Sequence, residues 1–139
     1  MQTKLNLKQL LLASIIVFII ASLLTVLFVK LTVTDPDAVG IDVTMMMRVW
    51  NYLGRFIYSI TFVYIFTRFA GDRSSIRAGL HYGLSITLLI IVPRMFWYLV
   101  STQFGVDYVL TMALLGVVET ILCGIAVALV YKMRPTLPG

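Results

Sequence analysis

The sequence contains four long apolar stretches, and three charged residues, Arg55, Arg94 and Glu119, lie within them. The first stretch, Leu10 to Val29, carries no charge. At about 1.5 Å per residue, a helix over this stretch is about 30 Å long, which is the hydrocarbon thickness of a bilayer. The other stretches cover residues 49–69, 79–100 and 108–131. This pattern predicts an all-α polytopic membrane protein with four transmembrane helices.

The composition argues against an ordinary soluble domain. The 139 residues are 60% hydrophobic and 12% charged, whereas soluble domains are about 45–50% apolar and about 25% charged. Little of the chain lies outside the apolar stretches, so residues 1–139 are predicted to form a single integral membrane domain. No enzyme motif is found, and an enzyme is not expected.

The lysines and arginines predict the orientation in the membrane. Seven of them flank one set of span ends: Lys4, Lys8, Arg68, Arg73, Arg77, Lys132 and Arg134. The opposite ends carry Lys30 and Arg48 beside several aspartates. Cytoplasmic loops are enriched in basic residues, so both termini are predicted to be cytoplasmic in a multi-pass protein of the inner (plasma) membrane. This clustering also explains the net charge of +5, so the expected partner is lipid and not nucleic acid.

Two of the connections between spans are short, which predicts an antiparallel bundle of consecutive helices. Small residues at four-residue spacing predict where two of these helices approach closely. They are Gly79 and Gly83 in the third span and Gly116, Thr120, Gly124 and Ala128 in the fourth. The third and fourth spans are therefore predicted to cross tightly near their cytoplasmic ends. The alternative is that one stripe faces a second copy of the chain.

The three charges predict a polar interior. Counted from the outer ends of their spans, Arg55 and Arg94 lie about 9 Å deep and Glu119 about 16 Å deep. An unpaired charge near the bilayer centre costs about 2.5–3.5 kcal/mol, so Glu119 is expected to be neutral or paired with an arginine. Polar residues at helical spacing extend this candidate intramembrane site to Asn51, Ser59, Thr87 and Tyr98. Pro93, directly before Arg94, predicts an irregularity in the third span.

No metal or cofactor site is predicted. His81 is the only histidine, and a metal or haem would need a second ligand at matched depth. Cys123 is the only cysteine, so it has no partner for a disulfide within the chain. Asp35, Asp37 and Asp42 lack the order of a calcium loop, and a solvated acidic loop is expected there.

The stretch GVVETILCGIAVALVYK, Gly116 to Lys132, places one acid before small residues and an aromatic-basic end. In this it resembles the last helix of many uncharacterised small four-span bacterial inner-membrane proteins. The resemblance implies the general architecture and no particular activity. Small multidrug-resistance transporters, in contrast, carry their glutamate in the first helix, which is uncharged here.

The sequence is compatible with two functions. The first is a structural or accessory role, with a polar core held by Glu119 and Arg55 or Arg94, in a homo-oligomer or a larger membrane complex. The alternative is a small transporter or an ion- or proton-translocating oligomer. In that alternative Glu119 is the exchanging carboxylate, and the two arginines tune it or receive an anion.

Overall fold

The structure, a computed structural model, describes residues 7–32, 45–70, 75–100 and 105–132, and nearly all of them are helical. The elements are α1 (Leu7–Thr32), α2 (Met45–Ala70), α3 (Ile76–Ile86), a π-helical turn (Thr87–Ile91), α4 (Val92–Val100) and α5 (Val106–Lys132). The predicted all-α class is confirmed, and every predicted span falls largely within helical residues. The aspartates of the proposed acidic loop lie outside the described residues.

Three segments are long and apolar enough to cross a bilayer, namely Leu7–Leu27, Ile76–Trp97 and Val106–Lys132. Three of the four predicted spans are thus supported by length and composition. The remaining helix, α2, has 26 residues and is about 39 Å long. Its average apolarity is lower because it carries Arg48, Asn51, Arg55 and Arg68.

The third predicted span is not one regular helix. It begins at Ser75, whose side chain accepts a hydrogen bond of 3.1 Å from the backbone N–H of Ala78 and so caps α3. After Ile86 the helix widens into the π turn, in which the N–H of Val92 donates to the carbonyl of Thr87. Pro93 explains this change, because proline has no N–H and its ring clashes with the carbonyl one turn earlier. The irregularity predicted from Pro93 therefore lies in the turn that precedes it.

Helix α5 makes most of the contacts between helices. It packs against α1, α3, the π turn and α4, and it touches α2. Its Cys123 is fully buried and its sulfur lies 4.0 Å from the carbonyl oxygen of Val17 in α1. Helix α2 packs against α1 and α3, but within the described ranges none of its Cα atoms lies within 8 Å of a Cα atom of α4. The backbones of the two helices that carry the arginines are therefore not closely packed against each other.

The aromatic core lies where α2 meets α3. Tyr82 is 1% exposed, and its ring centroid lies 4.8 Å from that of Phe62 and 5.2 Å from that of Phe66, both edge-on. Its hydroxyl donates a hydrogen bond of 2.6 Å to the carbonyl oxygen of Phe62. Edge-to-face rings are a favourable aromatic geometry, and a buried tyrosine hydroxyl needs such an acceptor. This cluster holds α3 against the half of α2 that is distant from Arg55.

Candidate functional site

The small residues predicted to pack lie opposite each other between α3 and α5. A Cβ atom added to Gly83 would lie 2.6 Å from the carbonyl oxygen of Thr120, and one on Gly79 would lie 2.5 Å from that of Gly124 and 2.8 Å from the Cβ of Ala128. Only glycine permits backbones to approach this closely. The crossing thus forms within one chain.

Gly116 has a different neighbour. A Cβ atom there would lie 2.6 Å from the Cδ1 atom of Ile91, which belongs to the π turn. This glycine therefore lets the π turn, and not α3, approach α5. The widened turn is consequently held close to the segment of α5 that precedes Glu119.

A hydroxyl pair extends the contact between α3 and α5. The Oγ1 atoms of Thr87 and Thr120 lie 2.6 Å apart, and both residues are buried. Each hydroxyl is also within hydrogen-bonding distance of a carbonyl of its own helix, at 2.9 Å for Thr87 and 3.0 Å for Thr120. Thr87, one of the predicted site residues, thus joins the π turn to α5.

Arg55, Arg94 and Glu119 line one partly open cavity of about 520 Å³. The cavity lies among α1, α2, the π turn, α4 and α5. Polar groups of Asn51 and Tyr58 also line it, together with the apolar side chains of Leu24, Ile90, Ile91, Met95, Met112 and Leu115. Charges that are distant in the sequence therefore meet in one space.

The cavity brings three charged groups together, and one of them is hydrogen-bonded to backbone. The Nη1 atom of Arg55 donates a hydrogen bond of 3.1 Å to the carbonyl oxygen of Ala21, which also accepts one of 2.9 Å from the hydroxyl of Thr25. Both guanidinium groups line the same cavity as the carboxylate of Glu119. With all three groups ionised, the two positive charges and one negative charge leave a net charge of +1.

The remaining predicted site residues divide between the cavity and the packing. Asn51 lines the cavity. Ser59 is fully buried elsewhere, and its hydroxyl donates to the carbonyl of Arg55 at 2.8 Å. Tyr98 belongs to α4, and its side chain lies outside the described part of the chain. Tyr58 was missed from the sequence, although it lies one helical turn after Arg55 and its position on that face was a usable signal.

No protein family, curated protein or solved structure matches this chain. The chemistry of the cavity is therefore what indicates its function. Guanidinium groups donate up to five N–H groups each and accept none, so they bind carboxylates, phosphates and sulfonates. A carboxylate beside them can accept or release a proton. The arrangement is suited to binding an anion and exchanging a proton.

Proposed function

We propose that this chain is a non-enzymatic, four-span inner-membrane protein with cytoplasmic termini, in which α2 is the fourth span. Its cavity binds an anion between Arg55 and Arg94, and Glu119 exchanges a proton. The observation that carries the proposal is the meeting of these three residues, from three helices, in one cavity of about 520 Å³. Ligand cavities typically measure about 300–1,000 Å³. A purely structural ion pair would favour close packing around it, since interiors avoid empty space.

The charges favour an anion as the ligand. One carboxylate cannot neutralise two guanidinium groups. Arg55 and Glu119 are half-buried and Arg94 is exposed, so electrostatic attraction at the partly buried groups is stronger than in bulk water. Charge-assisted hydrogen bonds from arginine are also among the strongest in proteins. The cavity is therefore expected to select anions over cations.

Glu119 couples anion binding to a proton. A bound anion would add a second negative charge beside this carboxylate, and protonation of the carboxylate would relieve the repulsion. The anion and the proton are therefore expected to bind with positive cooperativity, and each should raise the affinity for the other equally. Release of both on the opposite side of the membrane would constitute coupled transport.

Proton uptake on binding tests this proposal. Alkyl sulfonates are suitable probes because the sulfonate remains anionic and takes up no proton itself. We expect the purified protein in dodecyl maltoside, at weak buffering, to take up protons when methanesulfonate or decanesulfonate is added. Glu119→Gln should bind the same probe without proton uptake, and Arg94→Gln should bind it weakly. Arg68→Gln is the control, since Arg68 is exposed over the ring of Tyr64 and does not line the cavity.

The proposal fails if neither sulfonate binds, or if Glu119→Gln takes up as many protons as the wild type. Unchanged affinity in both arginine variants would also contradict it. Circular dichroism and size-exclusion chromatography on each variant would separate loss of binding from loss of folding.

A structural or accessory role in a homo-oligomer or a larger complex is the second candidate. The hydrogen bond from Arg55 to the carbonyl of Ala21 favours it, because it joins α2 to α1. In this case Glu119→Gln should lower the free energy of unfolding, and adding Arg55→Gln should restore part of the loss. A double-mutant cycle measures that coupling directly, without reference to any ligand.

A further inference from the structure

We infer that the ligand of the cavity is an amphiphile, with its anionic group between Arg55 and Arg94 and its apolar chain leaving between α2 and α4 into the bilayer. This inference rests on the anion site proposed above. It adds the chemical class of the ligand and the route by which the ligand enters.

The lining of the cavity matches a molecule with two kinds of surface. Beside the three charged residues, the apolar side chains come from α1, the π turn, α4 and α5. A small hydrated anion would gain nothing from these side chains, whereas a hydrocarbon chain would be removed from water by them. Met95 and Met112 are among them, and the flexible thioether of methionine adapts to chains of different shape.

The cavity is continuous with the apolar outer surface of the protein. Trp50 lines the cavity and is also 64% exposed, and Ile90 lines it and is 40% exposed. Trp50 lies in α2, and Ile90 lies in the π turn that leads into α4. In the part of the chain that the structure describes, no Cα atom of α2 lies within 8 Å of a Cα atom of α4, so the two backbones are not closely packed there. An opening between these helices would face lipid and not only water.

The size of the cavity is consistent with partial enclosure. One acyl chain extends through a leaflet over about 15 Å, half of the hydrocarbon thickness. A volume of about 520 Å³ is within the usual range of ligand cavities, about 300–1,000 Å³, and has room for an anionic head with a hydrocarbon chain attached. Because the cavity is partly open, any part of a longer chain that it does not enclose would lie in the bilayer.

The two tryptophans of the chain provide a direct assay. In a Trp97→Phe background, Trp50 is the only tryptophan and lies at the cavity. Its fluorescence is followed in dodecyl maltoside during titration with decanesulfonate, methanesulfonate or 1-decanol. Decanesulfonate and methanesulfonate share a headgroup, so they distinguish an amphiphile from a water-soluble anion. Decanol has the chain without the charge.

We expect decanesulfonate to bind at least about tenfold more tightly than methanesulfonate, because each buried methylene adds to the affinity. Arg55→Gln and Arg94→Gln should each weaken decanesulfonate binding about tenfold or more, since each removes a charge-assisted hydrogen bond. Arg68→Gln should leave it unchanged.

Gly54→Leu tests the cavity without altering a charge. Gly54 lines the cavity, and a Cβ atom there would have no other atom within 4 Å, so the variant should fold. The added side chain should occupy part of the cavity and weaken the binding of decanesulfonate at least about fivefold. The affinity for methanesulfonate should fall less. Unchanged decanesulfonate affinity in a folded Gly54→Leu protein would overturn the inference.

The other outcomes separate the two proposals. If methanesulfonate binds as tightly as decanesulfonate, the amphiphile is wrong and the anion site stands. If decanol binds as tightly as decanesulfonate, or if both arginine variants retain full affinity for decanesulfonate, the change in Trp50 fluorescence reports non-specific binding of the hydrocarbon chain to apolar surface. In that case both the inference and the anion site would be overturned.

Discussion

Replacing Gly83 with alanine tests the contact between α3 and α5 that places the π turn and Glu119 beside each other. The added methyl carbon would lie 2.6 Å from the carbonyl oxygen of Thr120 and 2.8 Å from the Cα atom of Ile121. Both are backbone atoms of α5, so no side-chain rotation can relieve the contact. The helices would have to separate by roughly 0.8 Å to reach the 3.4 Å at which ordinary contact begins.

The cost of this separation can be estimated. Overpacking costs about 1–3 kcal/mol. Separation would also stretch the hydrogen bond between Thr87 and Thr120, which by membrane averages contributes about 0.6 kcal/mol. Alanine has a higher helix propensity than glycine by at most about 1 kcal/mol, and this gain offsets part of the loss. We expect Gly83→Ala to lower the free energy of unfolding by about 1–3 kcal/mol.

Gly54→Ala is the matched control, because it is the same substitution in a helix where a Cβ atom has no other atom within 4 Å. It should leave stability unchanged or raise it by up to about 1 kcal/mol. Unfolding of both variants by sodium dodecyl sulfate in mixed micelles, followed by circular dichroism, gives the comparison. Equal stability of Gly83→Ala and Gly54→Ala would refute the α3–α5 contact. A lost oligomer with unchanged unfolding would place the small residues at an interface between copies.

Three further predictions concern the packing and the orientation. A double-mutant cycle of Thr87→Val and Thr120→Val should give a coupling of about 0.6 kcal/mol in unfolding, and a coupling of zero would contradict the hydroxyl pair. Tyr82→Phe removes the hydroxyl that donates into α2 and should lower the free energy of unfolding by about 1 kcal/mol; an unchanged transition would count against that hydrogen bond. In a cysteine-free background, a membrane-impermeant maleimide should label Asp107→Cys in intact cells and leave Arg77→Cys unlabelled, whereas the opposite pattern would reverse the predicted topology.

The helices and the α3–α5 crossing could be predicted because each depends on local patterns. Long apolar stretches in lipid must satisfy their own backbone hydrogen bonds, which a helix does. The spacing of Gly79, Gly83 and Gly124 indicated a close approach without any knowledge of the fold. Helix α2, predicted as a span from residues 49–69, is not among the segments apolar enough to cross a bilayer, because its arginines lower its average apolarity.

The site was only partly predictable, for two physical reasons. The π turn begins at Thr87 and has a different hydrogen-bonding period from an α-helix, so counting along a regular helix cannot give the position of Thr87 relative to Arg94. The cavity itself depends on the separation of α2 from α4, which is a tertiary property that no periodicity reports. The charges of Arg55, Arg94 and Glu119 were enough to predict them as site residues, because an ionisable residue within a membrane span is costly and is usually functional.

The packing of α1 against α5 has a consequence for biosynthesis. Val17 and Cys123, which meet in the core, are 106 residues apart in the chain. At about 5–20 residues per second, the ribosome needs about 5–20 s to reach the later residue after the earlier one. During that delay α2 is already available to pack against α1, and the guanidinium of Arg55 can donate to the carbonyl of Ala21 before Glu119 has been translated. This hydrogen bond would then satisfy one donor of a newly inserted guanidinium while α5 is still being synthesised.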